Sequence, residues 1–461
     1  MMVGKSYWYR VSSMIGCVLV CSLLVFSYLA FADSNFDKGK MERYLNSLAA
    51  NDKAALGVVI IDKGKEVYSY QTAIPSSLKK EQSNFDKKYK AGSITKTFTS
   101  TLIFQLIEQG KIELSTPLSK FYPEFDNAGD ITIGHMLSHR SGLYNYTNAT
   151  EFITYFNTYQ TKEAMLQRIA SYPVAFPPNK KHEYSNTNYL LLGYILEDVT
   201  GKSYGEVVKE NIIDRVGLEN TEYCASETSC GQDLESFYFS SNQWFKSPSW
   251  SMSVASAAGA IISTPYDLTT FIRALFNGEL VSEDSLKQMK GTSNLSSKGL
   301  FRLPLYSKYS YGHRGLIESF NSDVSYFESD DLAVAINVDA LNYNFNDITT
   351  GILSIYYGMP FTLPDFEREP MTVAVDNLKG YEGSYTSPDF DLDINLSVKN
   401  GILMLQATGQ EAIPLEAYSE HEFEFKPAGI LCKFGMTASG DIDYSKFALH
   451  QGNLTFAYQR Q

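Results

Sequence analysis

Gly92-Ser93-Ile94-Thr95-Lys96 marks a point where a loop turns into an apolar helix, and the rest of the chain can be placed around it. The apolar residues that follow recur at helical spacing and form one stripe: Phe98, Leu102, Ile103, Leu106 and Ile107. Gly110 marks the expected end of the helix. The sequence therefore predicts a core helix with Ser93 at its N-terminus.

Ser93 and Lys96 lie one turn apart on the same face of this helix. The helix dipole favours negative charge on the serine oxygen. A lysine held against a packed interior loses solvation, so its pKa falls and it can accept a proton. The pair thus has the arrangement of an activated serine nucleophile. The same spacing occurs at Ser76 and Ser77 in a polar run, and an ordinary helix cap is the alternative role for Ser93.

Length and composition indicate a globular protein of two or three domains, with 461 residues of which 44% are hydrophobic. The formal net charge is −13 without a basic patch, which argues against nucleic-acid binding. The scattered histidines match no zinc pattern, so neither a metal nor a cofactor is expected. His135 and His139 are four residues apart, but no glutamate accompanies them, so we expect them to be structural.

Residues 1–32 are typical of a secretory signal. Lys5 and Arg10 precede an apolar run from Val11 to Ala32, and Ala30-Phe31-Ala32 fits a cleavage site. The protein is therefore expected to be exported, either periplasmic or secreted. About twenty apolar residues can also span a bilayer, so an uncleaved N-terminal anchor is the alternative, and membrane contact is expected only in that case.

Three cysteines lie beyond this segment. Cys224 and Cys230 are six residues apart in a polar loop, and an exported compartment allows them to form a disulfide. Cys432 is then left as an unpaired, buried thiol.

The chain divides into a mixed α/β part and an all-β part. Residues 33–360 alternate helical and strand patterns and close with consecutive antiparallel strands. Within them, residues 222–252 show no period and are expected to form a long loop that borders a substrate cleft. Residues 361–377 indicate a linker, and residues 378–461 carry about eight short alternating segments that predict a small β-barrel or sandwich.

Two further short patterns follow Ser93. Tyr184-Ser185-Asn186 lies in a loop just before a helix, and His313-Arg314-Gly315 lies inside the first of the late strands. Each has a competitor, since Tyr146-Thr147-Asn148 also fits Tyr-x-Asn and His450-Gln451-Gly452 also fits His-x-Gly. The complete set in chain order, each member in suitable local structure, is far more specific than any single match.

With these residues the chain resembles the serine beta-lactamase and penicillin-binding protein superfamily, whose pattern combines Ser-x-x-Lys with partners on a loop and a strand. The Tyr-x-Asn pattern and the histidine on the strand make the chain similar to the class C-like branch of this superfamily. That branch holds D-Ala-D-Ala carboxypeptidases, D-aminopeptidases and esterases. The resemblance covers about residues 37–358 and extends to Thr132–Leu143 and Gly259–Thr264. It implies an α/β (α+β) fold, an antiparallel sheet flanked by helices plus a helical subdomain. The C-terminal barrel also resembles barrels on some members.

The resemblance implies a role for each matched residue. Ser93 attacks an acyl carbon and forms an acyl-enzyme. Tyr184, its phenol pKa lowered by cations such as Lys96, is the expected general base. Asn186 orients Lys96 and a substrate amide. The backbone N–H groups of Ser93 and Leu316 are expected to form the oxyanion hole.

The strand pattern implies contacts with the substrate. His313 is expected to supply a positive or hydrogen-bonding partner, and Gly315 to let the substrate lie along the strand without a side-chain clash. Arg314 stands where carboxypeptidases and beta-lactamases have Thr, and strand alternation points it away from the site. The missing hydroxyl weakens those two interpretations and favours an esterase or an aminopeptidase-like enzyme.

The sequence therefore predicts an exported serine hydrolase, a peptidase, amidase or esterase. Its substrate is expected to be a small molecule or peptide with a hydrolysable acyl group, peptidoglycan peptides included. Two alternatives remain open: a catalytically quiet penicillin-binding-like protein that binds cell-wall peptide or serves in assembly, and a true class C-like beta-lactamase.

Overall fold

The structure is a computed structural model. It describes residues 36–72, 87–224, 234–388, 390, 392–451 and 454–461. The predicted signal segment, residues 1–32, lies outside these ranges. Within them, no helix has the length and apolar character needed to cross a bilayer.

A mixed α/β unit occupies residues 36–358. Its helices are α1 (Lys38–Ala50), α2 (Thr95–Glu108), α3 (Ile133–Leu137), α4 (Lys162–Ala170), α5 (Asn186–Thr200), α6 (Tyr204–Val208), α7 (Asp214–Val216), α8 (Met252–Ala255), α9 (Pro265–Phe276), α10 (Glu283–Lys290) and α11 (Phe345–Tyr356). Its strands are β1 (Ala54–Asp62), β2 (Lys65–Gln71), β3 (Tyr89–Lys90), β4 (Glu222–Tyr223), β5 (Phe237–Ser240), β6 (Gln243–Lys246), β7 (Ile261–Ser263), β8 (Phe301–Leu305), β9 (Lys308–Ile317), β10 (Phe320–Phe327) and β11 (Leu332–Leu341).

The main sheet has the order β2-β1-β11-β10-β9-β8, and all of these neighbours pair antiparallel. The hairpin of β5 and β6 joins it through a short parallel contact between β5 and β11. A second, three-stranded sheet has the order β3-β7-β4. The predicted antiparallel sheet flanked by helices is confirmed.

Helices cover both faces of the main sheet. On one face α1 and α11 pack through a cluster that includes Met41, Leu45 and Ile352. On the other face a larger cluster surrounds α2, α5 and α9, with Phe98 stacked on Phe271. Strand β11 is buried along nearly its whole length because it lies between these two layers.

Helix α2 is buried on every side from Thr95 to Leu106, not only along its apolar stripe. Its threonine and serine hydroxyls tolerate burial because each has a hydrogen-bond partner. Thr97 and Ser100 donate to the carbonyls of Gly299 and Lys298, and the Thr95 hydroxyl accepts the Ile261 N–H. The predicted helix is confirmed, but its first turn is a 3₁₀ turn, Gly92–Ile94. Ser93 lies in that turn.

The prediction of a long loop over residues 222–252 is wrong for part of that range. Strands β5 and β6 form a hairpin there, and its turn residues Ser241 and Asn242 have φ values of 49° and 60°. Two positive φ angles are typical of a two-residue hairpin turn, which Asn-Gly usually marks. The Ser-Asn pair lacks that glycine, so no strong turn signal marks this hairpin in the sequence.

A closed eight-stranded barrel follows. After the short helix α12 (Val375–Leu378), its strands are β12 (Gly383–Thr386), β13 (Ile394–Lys399), β14 (Ile402–Ala407), β15 (Ile413–Ser419), β16 (Glu422–Phe425), β17 (Ile430–Met436), β18 (Ile442–Gln451) and β19 (Leu454–Arg460). Aromatic rings such as Tyr381, Phe434 and Phe447 fill the interior. The predicted barrel is confirmed.

The cysteines lie in two environments. Cys224 is buried and disulfide-bonded. Its expected partner, Cys230, lies outside the described residues, so the pairing of these two cysteines stays a prediction. Cys432 is a free thiol buried in the barrel core, as the sequence predicted.

Candidate active site

Ser93 sits where the 3₁₀ turn before α2 meets the backbone of β9. Gly92 has a φ of +53°, and a Cβ at that position would lie 3.0 Å from Leu316 N. Only glycine permits this backbone conformation and this approach without strain. The close packing brings the Leu316 backbone beside the serine, where the oxyanion hole is predicted.

Lys96 is fully buried, and its Nζ lies 3.0 Å from Ser93 Oγ and 2.7 Å from the carbonyl oxygen of Ala258. Loss of hydration on burial holds the pKa of Lys96 well below its usual value. The lowered lysine pKa expected from the sequence is thus confirmed. A neutral amine at this distance can accept the serine proton.

The Tyr184 hydroxyl hydrogen-bonds to Ser93, and Lys96 Nζ lies 5.1 Å from the centre of the Tyr184 ring. Burial raises the pKa of Tyr184, so the prediction of a lowered phenol pKa is wrong. The physical reason is loss of hydration on burial, which disfavours the charged phenolate. Tyr184 is therefore a phenol, able to donate a proton, and Lys96 is the better candidate base. The competing Tyr146 donates to the Val254 carbonyl.

Asn186 is the first residue of α5 and lies two residues after Tyr184 in the chain. Its backbone N–H donates to Asn145 Oδ1, and its side-chain amide donates to Thr147 Oγ1. Among the described residues it makes no hydrogen bond to Lys96, whose second partner is a backbone carbonyl. The expected orientation of Lys96 by Asn186 is therefore not seen.

His313 is buried, and burial together with the nearby Lys96 lowers its pKa to about 3. Its Nδ1 lies 2.6 Å from the Arg314 carbonyl oxygen, so Nδ1 carries the proton and donates. A ring with this pKa is neutral near pH 7, so of the positive or hydrogen-bonding role expected for His313 only the hydrogen-bonding role fits the site. The Nε2 atom remains available as a hydrogen-bond acceptor.

Gly315 packs directly against the segment that leads into Ser93. A Cβ there would lie 2.0 Å from the Ala91 carbonyl oxygen and 2.5 Å from Ser322 Oγ. The glycine therefore makes room for the backbone just before Ser93, and its expected contact with a substrate stays a prediction. Its absent side chain lets the nucleophile turn pack directly on β9.

Arg314 points away from the site, as strand alternation predicted. Its Nε lies 2.9 Å from Asp323 Oδ2, and its second guanidinium contact is Thr349 on α11, across the sheet. Lys90, three residues before Ser93, is paired with Glu318 at 2.6 Å, and both side chains are almost fully buried. No free cation for a substrate carboxylate is thus left among four residues: Lys90, Lys96, His313 and Arg314.

Sequence reasoning missed two residues near these groups. These are Lys90 and Glu318, whose ion pair joins the nucleophile segment to the residue after β9. His139, which was expected to be structural, lies against Tyr184. His135 caps α3 together with Thr132, which confirms its structural role. In the described ranges, no group of three or more His, Cys, Asp or Glu side chains is placed to hold a metal.

Comparison with known proteins agrees with this geometry. The sequence model of the beta-lactamase family matches residues 41–346. The chain belongs to the beta-lactamase family.

Several relatives of this beta-lactamase-family chain are hydrolases. It is 31% identical over 189 residues to the teichoic acid D-alanine hydrolase of Staphylococcus aureus, a match that spans 40% of this chain and 44% of that protein. A crystal structure of a D-stereospecific amidohydrolase from Streptomyces sp. is similar with a TM-score of 0.59 and 25% identity, over 66% of this chain and 95% of that one. These relatives support a serine hydrolase.

The barrel has a counterpart as well. The octameric penicillin-binding protein homologue from Pyrococcus abyssi aligns with a TM-score of 0.64 and 23% identity, over 91% of this chain and 100% of that one. At this identity the likeness concerns the fold alone. It covers both the α/β unit and the barrel.

Proposed function

We propose that this chain is an exported serine hydrolase that cleaves D-amino-acyl esters or amides through an acyl-enzyme on Ser93. The observation that carries the proposal is a buried amine, Lys96 Nζ, which lies 3.0 Å from Ser93 Oγ. The Tyr184 phenol is hydrogen-bonded to the same serine. The D-amino-acyl group is proposed because the two hydrolase relatives carry D-alanine or D-stereospecificity in their names. Export rests on the pattern of residues 1–32.

In the proposed reaction Lys96 accepts the Ser93 proton as the serine oxygen attacks the carbonyl carbon. The backbone N–H groups of Ser93 and Leu316 hold the negative oxygen that forms; losing one such donor costs about 10²–10³-fold in rate. Tyr184 donates its phenol proton to the leaving oxygen or nitrogen and recovers a proton from Lys96. Water then attacks the ester on Ser93 and gives a proton to Lys96. As the bond between the acyl carbon and Ser93 Oγ breaks, Lys96 returns that proton to the serine oxygen, and the acid is released.

The charges of the site favour a substrate without a free carboxylate. The guanidinium of Arg314 is bound to Asp323, and the His313 ring is neutral. A carboxypeptidase or a beta-lactamase binds a substrate whose carboxylate needs a cation or hydroxyl partner. An ester or a simple amide needs none, so these substrates fit the site better.

Labelling with a fluorescent fluorophosphonate tests the nucleophile. Wild-type protein should be labelled once, and Ser93→Ala should not be labelled. The matched control is Ser100→Ala, which removes a buried hydroxyl from the same helix and should leave labelling intact. Unlabelled wild-type protein would contradict the proposal and favour a quiet binding protein.

A substrate panel tests the acyl group. D-alanine methyl ester and D-alanine p-nitroanilide are compared with their L-forms, with a D-Ala-D-Ala peptide and with nitrocefin. We expect the D-alanyl ester or anilide to be cleaved fastest. Faster cleavage of the dipeptide or nitrocefin would instead assign a carboxypeptidase or a beta-lactamase.

A further inference from the structure

His139 holds the backbone on both sides of Tyr184. Its carbonyl oxygen accepts the Glu183 N–H at 2.9 Å, and its ring Nδ1 accepts the Ser185 N–H at 3.2 Å. Residues 181–185 form no helix or strand, so these two hydrogen bonds take the place of regular structure. The single residue between them is the one whose hydroxyl meets Ser93.

The ring of His139 also packs on the phenol it flanks. Its centre lies 4.3 Å from that of the Tyr184 ring, at an interplanar angle of 31°, and 5.2 Å from that of Tyr189. The Asn188 amide nitrogen lies 3.3 Å from Nδ1, while its oxygen accepts the Ser141 hydroxyl. These donors make Nδ1 an acceptor and place the imidazole proton on Nε2.

The backbone of His139 is specialised for this contact. Its φ is +54°, a left-handed conformation that non-glycine residues rarely adopt and that Asn tolerates best. This conformation lets one residue present both its carbonyl and its ring to the same loop. Such a constraint is unnecessary for a histidine that only fills the core.

We infer that His139 is a positioning residue, which aligns the Tyr184 hydroxyl for proton donation by holding residues 183 and 185. The inference rests on the proposed function, because it concerns the proton that Tyr184 gives to the leaving group. His139 acts through Tyr184 and touches no reacting atom. Burial holds the pKa of His139 well below its usual value, which keeps its ring neutral.

Two substitutions separate the contribution of the Nδ1 acceptor of His139 from that of its ring. His139→Asn keeps an acceptor near Nδ1 and tolerates the positive φ, whereas His139→Phe keeps a ring but leaves the Ser185 N–H without a partner. The control is His135→Asn, which removes the other histidine of this segment from its capping position. Thermal unfolding of each variant accompanies the kinetics.

The readouts are fluorophosphonate labelling, whose fluoride leaving group needs no proton, and kcat and KM on the D-alanyl substrate that wild-type protein cleaves fastest. For His139→Phe we expect kcat to fall roughly 10–100-fold, the range for a misplaced catalytic group, with KM and labelling within about threefold of wild type. His139→Asn should stay within about threefold in kcat.

Other results would overturn the inference. Unchanged kcat in His139→Phe, an equal loss of kcat and labelling, or no advantage of Asn over Phe would each reduce His139 to a packing residue. If His139→Phe does not fold, Asn188→Ala, which removes the donor that orients the ring, must lower kcat while sparing labelling. Wild-type protein that cleaves no D-alanyl substrate would overturn the proposed function itself, and this inference with it.

Discussion

Replacing Lys96 by Met tests whether a buried, neutral lysine drives the reaction. Methionine has a similar length and removes the base 3.0 Å from Ser93 Oγ. A general base contributes roughly 10²–10⁴-fold in rate, so labelling and turnover should fall by that factor. In wild-type protein, activity should rise as the pH rises through the folded-state pKa of Lys96, because only the neutral amine accepts a proton.

The same substitution has a measurable effect on stability. The pKa of Lys96 is lower in the folded chain than in the unfolded chain, so the unfolded chain binds more protons below pH 10.5. Wild-type stability therefore rises with pH between the folded-state pKa and that value, by about 1.4 kcal/mol per pH unit from this residue. Lys96→Met lacks this contribution, so the free energy of unfolding of wild type should increase relative to that of the variant as the pH is raised.

Urea unfolding of both proteins at several pH values between 7 and 10.5 measures the difference. The control is Lys88→Met, which removes a partly exposed lysine paired with Glu222 at 3.0 Å and should show no comparable trend. If the free energies of unfolding of wild type and Lys96→Met change in the same way with pH, the claim that Lys96 has a lowered pKa in the folded chain is refuted. Full labelling of the variant would contradict the role of Lys96 as the base.

Three further predictions follow from the site. Tyr184→Phe should slow turnover of the D-alanyl anilide far more than labelling, whereas Tyr146→Phe should leave their ratio unchanged; equal loss of both activities in Tyr184→Phe would contradict proton donation. Lys90→Met should lower the free energy of unfolding by about 3–5 kcal/mol, because it leaves the buried Glu318 unpaired, and adding Glu318→Leu should restore most of it in a double-mutant cycle. Gly315→Ala should cost about 1–3 kcal/mol and reduce labelling, since its Cβ would meet a backbone oxygen; unchanged urea midpoints would argue against that contact.

The features that could be predicted from the sequence are those that local patterns encode. Alternating segments separated by turns predicted the barrel, and the apolar stripe after Ser93 predicted α2. The same stripe led to the lowered lysine pKa, because a lysine on a buried helix loses hydration wherever the rest of the chain lies. Alternation along β9 likewise predicted that Arg314 faces away.

The features that were missed depend on distant parts of the chain. The Lys90–Glu318 pair joins residues 228 positions apart, and no local pattern marks either as buried. The phenol pKa of Tyr184 depends on how completely neighbouring segments of the chain bury its ring. Gly315 fits a substrate-binding pattern in sequence, but its actual neighbour is Ala91, which only the packing of β9 on the nucleophile turn brings close.

The most direct test of the account is rapid-quench mass spectrometry of the protein during turnover of a D-alanyl ester. We predict that the intact protein gains the mass of one alanyl group and that the modified peptide contains Ser93. Tyr184→Phe should still form this adduct with an activated ester, and Ser93→Ala should form none. Turnover without any adduct on Ser93, or an adduct on another residue, would contradict the acyl-enzyme.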